Sequence, residues 1–130
     1  MSTKIRILIV EHDLNDIELL QHELKKSSIN YELEIVQNEL DFGDALEKFV
    51  PDIILSDYNL PSFDGVTAFK IKQELSPDIP FILISGTVGE EIAVGLIKAG
   101  VTDYVLKDKL FTLNPKLSRA LEEAKAKKYS

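Results

Sequence analysis

The sequence predicts a single α/β domain built on a parallel sheet with helices on both faces. Five short apolar runs alternate with five longer amphipathic segments along the 130 residues, which is the pattern of strands joined by crossover helices. Four of these runs contain no charged residue, as expected of strands that helices cover on both faces. The length suits one domain with its own hydrophobic core.

The predicted strands fall into two kinds. The uncharged runs, which predict buried strands, are residues 7–10, 53–55, 81–84 and 104–106. The remaining run, Tyr31–Val36, alternates glutamates with Leu and Ile. One face of that strand is therefore expected to meet water, which predicts an edge position in the sheet.

Five segments carry apolar residues at helical spacing and are predicted to be helices. They are the segment with Ile17, Leu20 and Leu24, then residues 39–49, 65–75 and 89–98, and the segment with Leu117, Ala120, Leu121 and Ala124. Asp13 or Asn15 is expected to cap the first helix. Gly100 is expected to close the fourth, and Asn114 to cap the fifth, with proline at its first position.

Composition excludes several classes of function. The net charge of −7 disfavours direct binding to nucleic acid, whose affinity comes mainly from Lys and Arg, and it disfavours binding to anionic membrane as well. The absence of cysteine excludes disulfides, thiolate zinc sites and a cysteine nucleophile. No apolar run reaches the roughly 7–15 residues of a signal peptide or the roughly 20 of a spanning helix. We interpret the chain as cytoplasmic.

Polar residues follow the four uncharged runs, directly or, for Asp57, after one serine. They are Glu11, His12 and Asp13 after the first, Asp57 after the second, Ser85 after the third and Lys107 after the fourth. Ligands of open parallel sheets bind at the carboxyl ends of the strands. The sequence therefore predicts that carboxylates, a hydroxyl and an ammonium meet at one edge of the sheet.

This set of groups suits phosphoryl chemistry. Clustered carboxylates resist ionisation unless a cation lies among them, and Mg²⁺ takes oxygen ligands while leaving positions open for a phosphate oxygen. An aspartate can then attack phosphorus and form an acyl phosphate. A lysine and a hydroxyl can stabilise the remaining phosphoryl oxygens. Asp57 is the predicted centre of this site.

Four segments carry a resemblance to a known family. They are ILIVE at 7–11, PDIILSDYNLP at 51–61 followed by Asp64 and Gly65, SGT at 85–87, and DYVLK at 103–107. Together they resemble the receiver domain of bacterial two-component response regulators, from Lys4 to about Ala124. Residues 85–91 and 103–108 are most similar to receivers found inside multidomain, or hybrid, sensory histidine kinases.

The resemblance implies a flavodoxin-like, doubly wound sheet of strand order 2-1-3-4-5. It also implies that Asp57 accepts a phosphoryl group from the phosphohistidine of a sensor histidine kinase or phosphotransfer protein. Tyr104 would be the aromatic switch that turns inward as Ser85 moves, changing the surface of the fourth helix, fifth strand and fifth helix. Such a domain is a switch, not an enzyme, since its chemistry is limited to its own phosphorylation and dephosphorylation.

The resemblance also implies the ligands of the site. Glu11 and Asp57 would hold Mg²⁺, or Mn²⁺ as an alternative, together with the backbone carbonyl of Asn59. Ser85 and Lys107 would contact the phosphoryl oxygens.

Two positions depart from the family pattern. His12 stands where a second acidic residue is usual, and imidazole is a poor ligand for Mg²⁺ and a better one for Mn²⁺ or zinc. Either His12 itself, Asp13 or water would then complete the metal site. Asp108 stands where proline usually follows the lysine. Because a cis bond without proline costs roughly 2.5–4 kcal/mol, we expect a trans bond and an altered loop there.

Other functions remain as alternatives. A pseudo-receiver would use the same fold as a phosphorylation-independent protein-binding module, with His12 preventing metal-dependent phosphorylation. An aspartyl phosphatase is disfavoured because Asn59 occupies the place of its second aspartate. We assign residues 1–130 to one receiver domain. Residues 125–130 have good helix propensity and no stop signal, so they are either a frayed end or the start of a helical linker.

Overall fold

Strands and helices alternate along the chain in the predicted order. The computed structural model describes residues 4–60, 63–86 and 90–129. Its strands are β1 (Ile5–Val10), β2 (Tyr31–Val36), β3 (Ile53–Asp57), β4 (Phe81–Ser85) and β5 (Asp103–Leu106). Its helices are α1 (Leu14–Lys25), α2 (Glu39–Lys48), α3 (Gly65–Leu75), α4 (Glu90–Ala99) and α5 (Leu113–Tyr129), with a 3₁₀ helix (Lys107–Thr112) before α5.

The strands form one parallel sheet of order β2-β1-β3-β4-β5. This order confirms the doubly wound, flavodoxin-like fold and the edge position of Tyr31–Val36. A strand at the edge pairs on one side only, which is consistent with the glutamates that alternate along it.

Two apolar cores lie on opposite faces of the sheet. Alternate residues of the central strands supply each core because successive side chains of a strand point to opposite faces. Leu8 and Ile54 pack with α2 and α3 on one face. Ile7 and Ile53 pack with α1 and α5 on the other face. Because both faces of the central strands are covered, consecutive residues along these strands are apolar.

Strand register places the polar residues at one edge. Asp57 pairs with Ile84 and Ser85 pairs with Leu106, each at the carboxyl end of its strand. Both polar residues belong to the hydrogen-bonded ladder, so β3 and β4 extend beyond the predicted apolar runs. Ladder pairing depends on backbone position and not on hydrophobicity.

Both ends of α2 and α3 and the C-terminal end of α4 lie within one residue of the predicted ones. Asp13, rather than Asn15, caps α1 by accepting a hydrogen bond from the backbone N–H of Asp16 at 3.1 Å. The predicted start of α4 at Gly89 lies outside the described residues. Gly100 has a φ of 115° after α4, the left-handed conformation that glycine adopts most readily at a helix end.

The prediction that Asn114 caps α5 is wrong. The helix begins at Leu113, and the Asn114 side-chain amide donates to the backbone carbonyl of Glu23 at 2.9 Å. The 3₁₀ helix runs directly into α5. The hydrogen bond from Asn114 to Glu23 links the start of α5 to α1. No cis peptide bond occurs within the described ranges, in agreement with the trans bond expected before Asp108.

Within residues 4–60, 63–86 and 90–129, no helix combines the length and the apolar character needed to cross a bilayer.

Candidate functional site

Asp57 ends β3 in a buried position, with 4% of its surface exposed. Its Oδ1 accepts a hydrogen bond from the backbone N–H of Asn59 at 3.3 Å and lies 3.4 Å from the Lys107 ammonium. The carboxylate is therefore held at the edge of the sheet by one backbone donor and one cation.

Glu11 follows β1 and is only 1% exposed. Its Oε1 accepts hydrogen bonds from the backbone N–H groups of His12 and Asp13, at 2.9 and 3.1 Å. Burial raises the pKa of Glu11, and the charge of Asp57 adds to this effect. The N–H donors and the Lys107 ammonium oppose the rise without cancelling it. Two carboxylates at one edge thus disfavour full ionisation in the absence of a further cation.

Lys107 joins the carboxylates of three elements. Its Nζ lies 2.6 Å from Asp16 Oδ2, 3.4 Å from Asp57 Oδ1 and 3.5 Å from Glu11 Oε2. Burial by itself lowers the pKa of the ammonium, but the hydrogen bond to Asp16 and the nearby negative charges outweigh it, so the pKa is raised. The lysine is therefore a permanent cation within the cluster.

Asp16 is the site residue that the sequence analysis missed. It lies in the first turn of α1 and makes the shortest contact to Lys107. Asp16 does not follow a strand closely but returns to the edge through a helical turn, so strand-end spacing does not identify it. An acidic residue in the first turn of the helix after β1 is the signal that could have identified it.

Ser85 ends β4, is fully buried, and its Oγ has no hydrogen-bond partner in the described part of the chain. A buried hydroxyl without a partner costs free energy. Ser85 therefore has unused hydrogen-bonding capacity at the same edge as Asp57. Thr87, the last residue of the SGT segment that begins at Ser85, lies outside the described residues.

His12 and Asp13 make different contacts at this edge. Ligand atoms of Glu11, His12 and Asp57 all lie within 4.8 Å of one another, and His12 Nδ1 is 3.4 Å from Glu11 Oε1. The Asp13 carboxylate instead caps α1. Glu11 Oε2 is buried and accepts no hydrogen bond from any of the residues that the structure describes. The group of three ligands fits a divalent cation, with the imidazole at its exposed rim.

Tyr104 lies on β5 beside this edge, partly buried against the core that contains Leu8. The Lys116 ammonium donates to the Tyr104 carbonyl at 2.6 Å and lies 5.0 Å from the ring centroid. It also pairs with Asp103 at 3.5 Å. In this structure α5 thus holds Tyr104 through one lysine, by a hydrogen bond and a cation–π contact.

Gly65 allows the close approach of α3 to the Asp57 strand. A Cβ at this position would lie 2.8 Å from both the Asp57 carbonyl oxygen and Leu83 Cδ1. We expect Gly65→Ala to lower the free energy of unfolding by roughly 1–3 kcal/mol, as overpacking does in dense cores. Urea unfolding measures the change.

The matched control for this substitution is Gly95→Ala. A Cβ at Gly95 meets nothing within 4 Å, so this change in the interior of α4 should stabilise the protein by about 0.5–1 kcal/mol. Equal stability of the two variants would show that α3 accommodates a larger residue at position 65.

Comparison with known proteins identifies relatives along most of the chain. The family model for the response regulator receiver domain matches residues 7–114. The transcriptional regulatory protein ZraR of Salmonella typhimurium is 30% identical over 123 residues, covering 95% of this chain and 27% of that protein. A protein-glutamate methylesterase/protein-glutamine glutaminase of Hydrogenovibrio crunogenus is 34% identical over 113 residues, covering 83% and 29%. The chain therefore spans less than a third of these curated relatives.

Solved structures share the fold. The signal receiver domain of a putative Luxo repressor protein from Vibrio parahaemolyticus has a TM-score of 0.85 at 23% identity, covering 98% of this chain and 97% of that one. The Mn(2+)-bound form of response regulator Rcp1 has a TM-score of 0.70 at 31% identity, covering 84% and 88%.

These relatives are response regulators of several kinds and are not specifically receivers of hybrid kinases. The resemblance expected from the sequence thus holds at the level of the family. A family model that spans residues 7–114, and a fold shared over nearly the whole chain, establish that this chain belongs to the response regulator receiver domains.

Proposed function

We propose that the chain is a phosphoacceptor switch in which Asp57 receives a phosphoryl group from the phosphohistidine of a sensor histidine kinase or phosphotransfer protein. The observation that carries this proposal is the position of Lys107, whose ammonium lies within 3.5 Å of both Asp57 and Glu11. A surface aspartate at a strand end would need neither a partly buried cation nor a second buried acid beside it.

The proposed reaction uses groups that the fold already holds in place. An Asp57 oxygen forms a bond to phosphorus as the bond between phosphorus and the histidine nitrogen breaks, and hydrolysis later returns the carboxylate and free phosphate. Lys107 pairs with one phosphoryl oxygen, and the Ser85 hydroxyl donates to another. A divalent cation bound by Glu11, Asp57 and the Asn59 carbonyl would supply charge neutralisation. The chain needs no other chemistry, so we propose that it is not an enzyme.

The proposed signal passes from Ser85 to Tyr104. As Ser85 moves toward the phosphoryl group, the Tyr104 ring would turn inward and change the surface formed by α4, β5 and α5. Ile92, Val94 and Ile97 of α4 are exposed, which supports a role for this helix in binding a partner whose affinity depends on the switch.

We further propose one receiver domain over residues 1–130, acting in the cytoplasm, where sensor kinases present their phosphohistidines. Its curated relatives are much longer than this chain, so the output belongs to other domains or partners. A place inside a hybrid sensory kinase is one such arrangement, and the continuation of α5 through residue 129 suits a helical linker there.

A pseudo-receiver is the second candidate, favoured by His12 in place of an acid. Incubation with acetyl phosphate and either Mg²⁺ or Mn²⁺, followed by intact-protein mass spectrometry, separates the two functions. A mass gain of one phosphoryl group with either cation supports the switch. No gain with either cation supports the pseudo-receiver.

We propose that Asp16 shortens the lifetime of the phosphorylated state by competing for Lys107. Its carboxylate competes with the phosphoryl group for the ammonium and adds a negative charge nearby. Asp16→Asn should therefore lengthen the lifetime of phosphorylated Asp57 by up to about fivefold, because partly exposed ion pairs contribute roughly 0.2–1 kcal/mol. The decay of the phosphorylated mass peak measures it.

Glu18→Gln is the control for this prediction, since Glu18 is an exposed acid of the same helix. A shorter lifetime in Asp16→Asn would contradict the competition, and would mean that Asp16 holds Lys107 in its productive position.

A further inference from the structure

We propose that His12 makes the cation site of this chain a mixed nitrogen and oxygen site, selective for a divalent first-row transition ion such as Co²⁺, Ni²⁺ or Zn²⁺ over Mg²⁺. The inference deepens the proposed function, since the same site would serve phosphorylation of Asp57. It concerns a property of this chain in particular, because one of the three side chains that could hold the ion is an imidazole.

The first support is the arrangement of ligand atoms. Glu11, His12 and Asp57 each bring one such atom within 4.8 Å of the others, and among the described residues this is the group found with metal-binding potential. Two of the three ligands are carboxylates that are almost completely buried, while the His12 side chain is 43% exposed. The imidazole is therefore the ligand that an entering ion meets at the rim.

The second support is an unsatisfied buried acid. Within the described ranges Glu11 Oε2 accepts no hydrogen bond, and the Lys107 ammonium lies 3.5 Å from it. Lys107 is already bound at 2.6 Å by Asp16. The buried carboxylates therefore retain unneutralised charge that a cation would stabilise.

The third support is that Asp13 is engaged elsewhere. Its carboxylate accepts the backbone N–H of Asp16 and caps α1. Recruiting Asp13 to the metal would leave this cap without its acceptor, at a cost of about 1 kcal/mol. The residue adjacent to Glu11 that remains free to coordinate is His12.

Ligand type then decides which ion is favoured. Mg²⁺ requires oxygen ligands and gains most from charged ones, so exchanging a carboxylate for a neutral imidazole weakens its binding. Imidazole suits later first-row ions, whose affinities rise along the series from Mn²⁺ to Cu²⁺. The preference for these ions over Mg²⁺ therefore comes from His12, because Glu11 and Asp57 offer the same oxygen ligands to either ion.

The test is calorimetric titration of the whole chain with Mg²⁺ and, separately, with Co²⁺, in the absence of any phosphodonor. We expect Co²⁺ to bind with 1:1 stoichiometry and more tightly than Mg²⁺. His12→Asp should shift the ratio of the two affinities toward Mg²⁺ by at least about tenfold, the lower end of the effect of replacing even an outer-shell partner. The visible absorption of bound Co²⁺ should change in the same variant.

His22→Gln is the matched control, because His22 is the other histidine of the chain and is exposed on α1. It should leave both affinities unchanged. If His12→Asp alters neither the affinity ratio nor the Co²⁺ spectrum, the imidazole does not coordinate, and its contact with Glu11 is an ordinary surface pairing. That outcome overturns the inference.

These outcomes are independent of phosphorylation. A chain that binds Co²⁺ through His12 but gains no phosphoryl mass would retain the inference and reject the proposed switch. A chain that is phosphorylated equally well after His12→Asp, with unchanged metal selectivity, would retain the switch and reject the inference.

Discussion

Replacing Asp57 with Asn is expected to abolish the phosphodonor-dependent mass gain completely. Asn preserves the size of the side chain and the oxygen that accepts the Asn59 N–H, so the fold should be retained. A carboxamide, however, does not supply the anionic oxygen that attacks phosphorus. Intact-protein mass spectrometry after incubation with acetyl phosphate and a divalent cation measures the outcome, and circular dichroism checks the fold.

Asp44→Asn is the control, since Asp44 is an exposed acid on α2 and should leave labelling unchanged. Labelling should also disappear when a chelator removes the cation. Undiminished labelling of Asp57→Asn would place the phosphoryl group on another residue, and the assignment of the acceptor would be wrong.

Replacing Glu11 with Gln should stabilise the metal-free protein and remove its stabilisation by divalent cations. The pKa of Glu11 is raised from its ordinary value of 4.5, mainly by burial and then by the charge of Asp57. Gln imitates the protonated form and can keep an acceptor for the two backbone N–H groups. We expect a gain of roughly 0.5–2 kcal/mol at neutral pH, the usual range for a stabilising substitution.

The same shift sets the direction of a pH dependence. A raised pKa means that the folded chain binds protons more tightly than the unfolded chain. The contribution of Glu11 to stability is therefore fully present below pH 4.5 and is lost as the pH rises through the folded-state pKa. Glu11→Gln should flatten this part of the stability profile.

Thermal unfolding across pH, with and without a divalent cation, measures both effects. Glu47→Gln is the control, because Glu47 is exposed on α2 and should change neither the profile nor the response to cation. A Glu11→Gln protein that is less stable than the unmodified one at neutral pH, and still stabilised by cation, would contradict this prediction. It would show that the charged form of Glu11 does not destabilise the metal-free protein and that Glu11 does not bind the cation.

Hydrophobic spacing was sufficient for the fold class, whereas the strand order came from the resemblance to the family. Apolar runs such as residues 81–84 are buried, and the alternating pattern of Tyr31–Val36 identified an edge strand. Such patterns report which faces of an element are apolar, and a parallel sheet follows from their order. They do not report where a ladder ends, so the inclusion of Asp57 and Ser85 in their strands was not predicted.

Contacts between elements that are distant in sequence required the tertiary structure. The sequence predicts that Asn114 caps a helix, but its side-chain amide donates to the backbone carbonyl of Glu23 near the end of α1. Lys72 of α3 is a charged residue that is nevertheless buried; it donates to the Pro77 carbonyl at 2.7 Å, and burial lowers its pKa. Both outcomes depend on where neighbouring segments pack, which local periodicity does not encode.

By itself, the sequence determined that Glu11, Asp57, Ser85 and Lys107 share one edge, because parallel strands all present their carboxyl ends on the same side of the sheet. Only the tertiary structure decided that Asp16 is the nearest partner of Lys107 and that His12, not Asp13, joins the two buried carboxylates. The physical reason is that the parallel strands fix the edge. The docking of α1 against the sheet then fixes which residues of its first turn, and of the connection before it, face that edge and which one caps the helix.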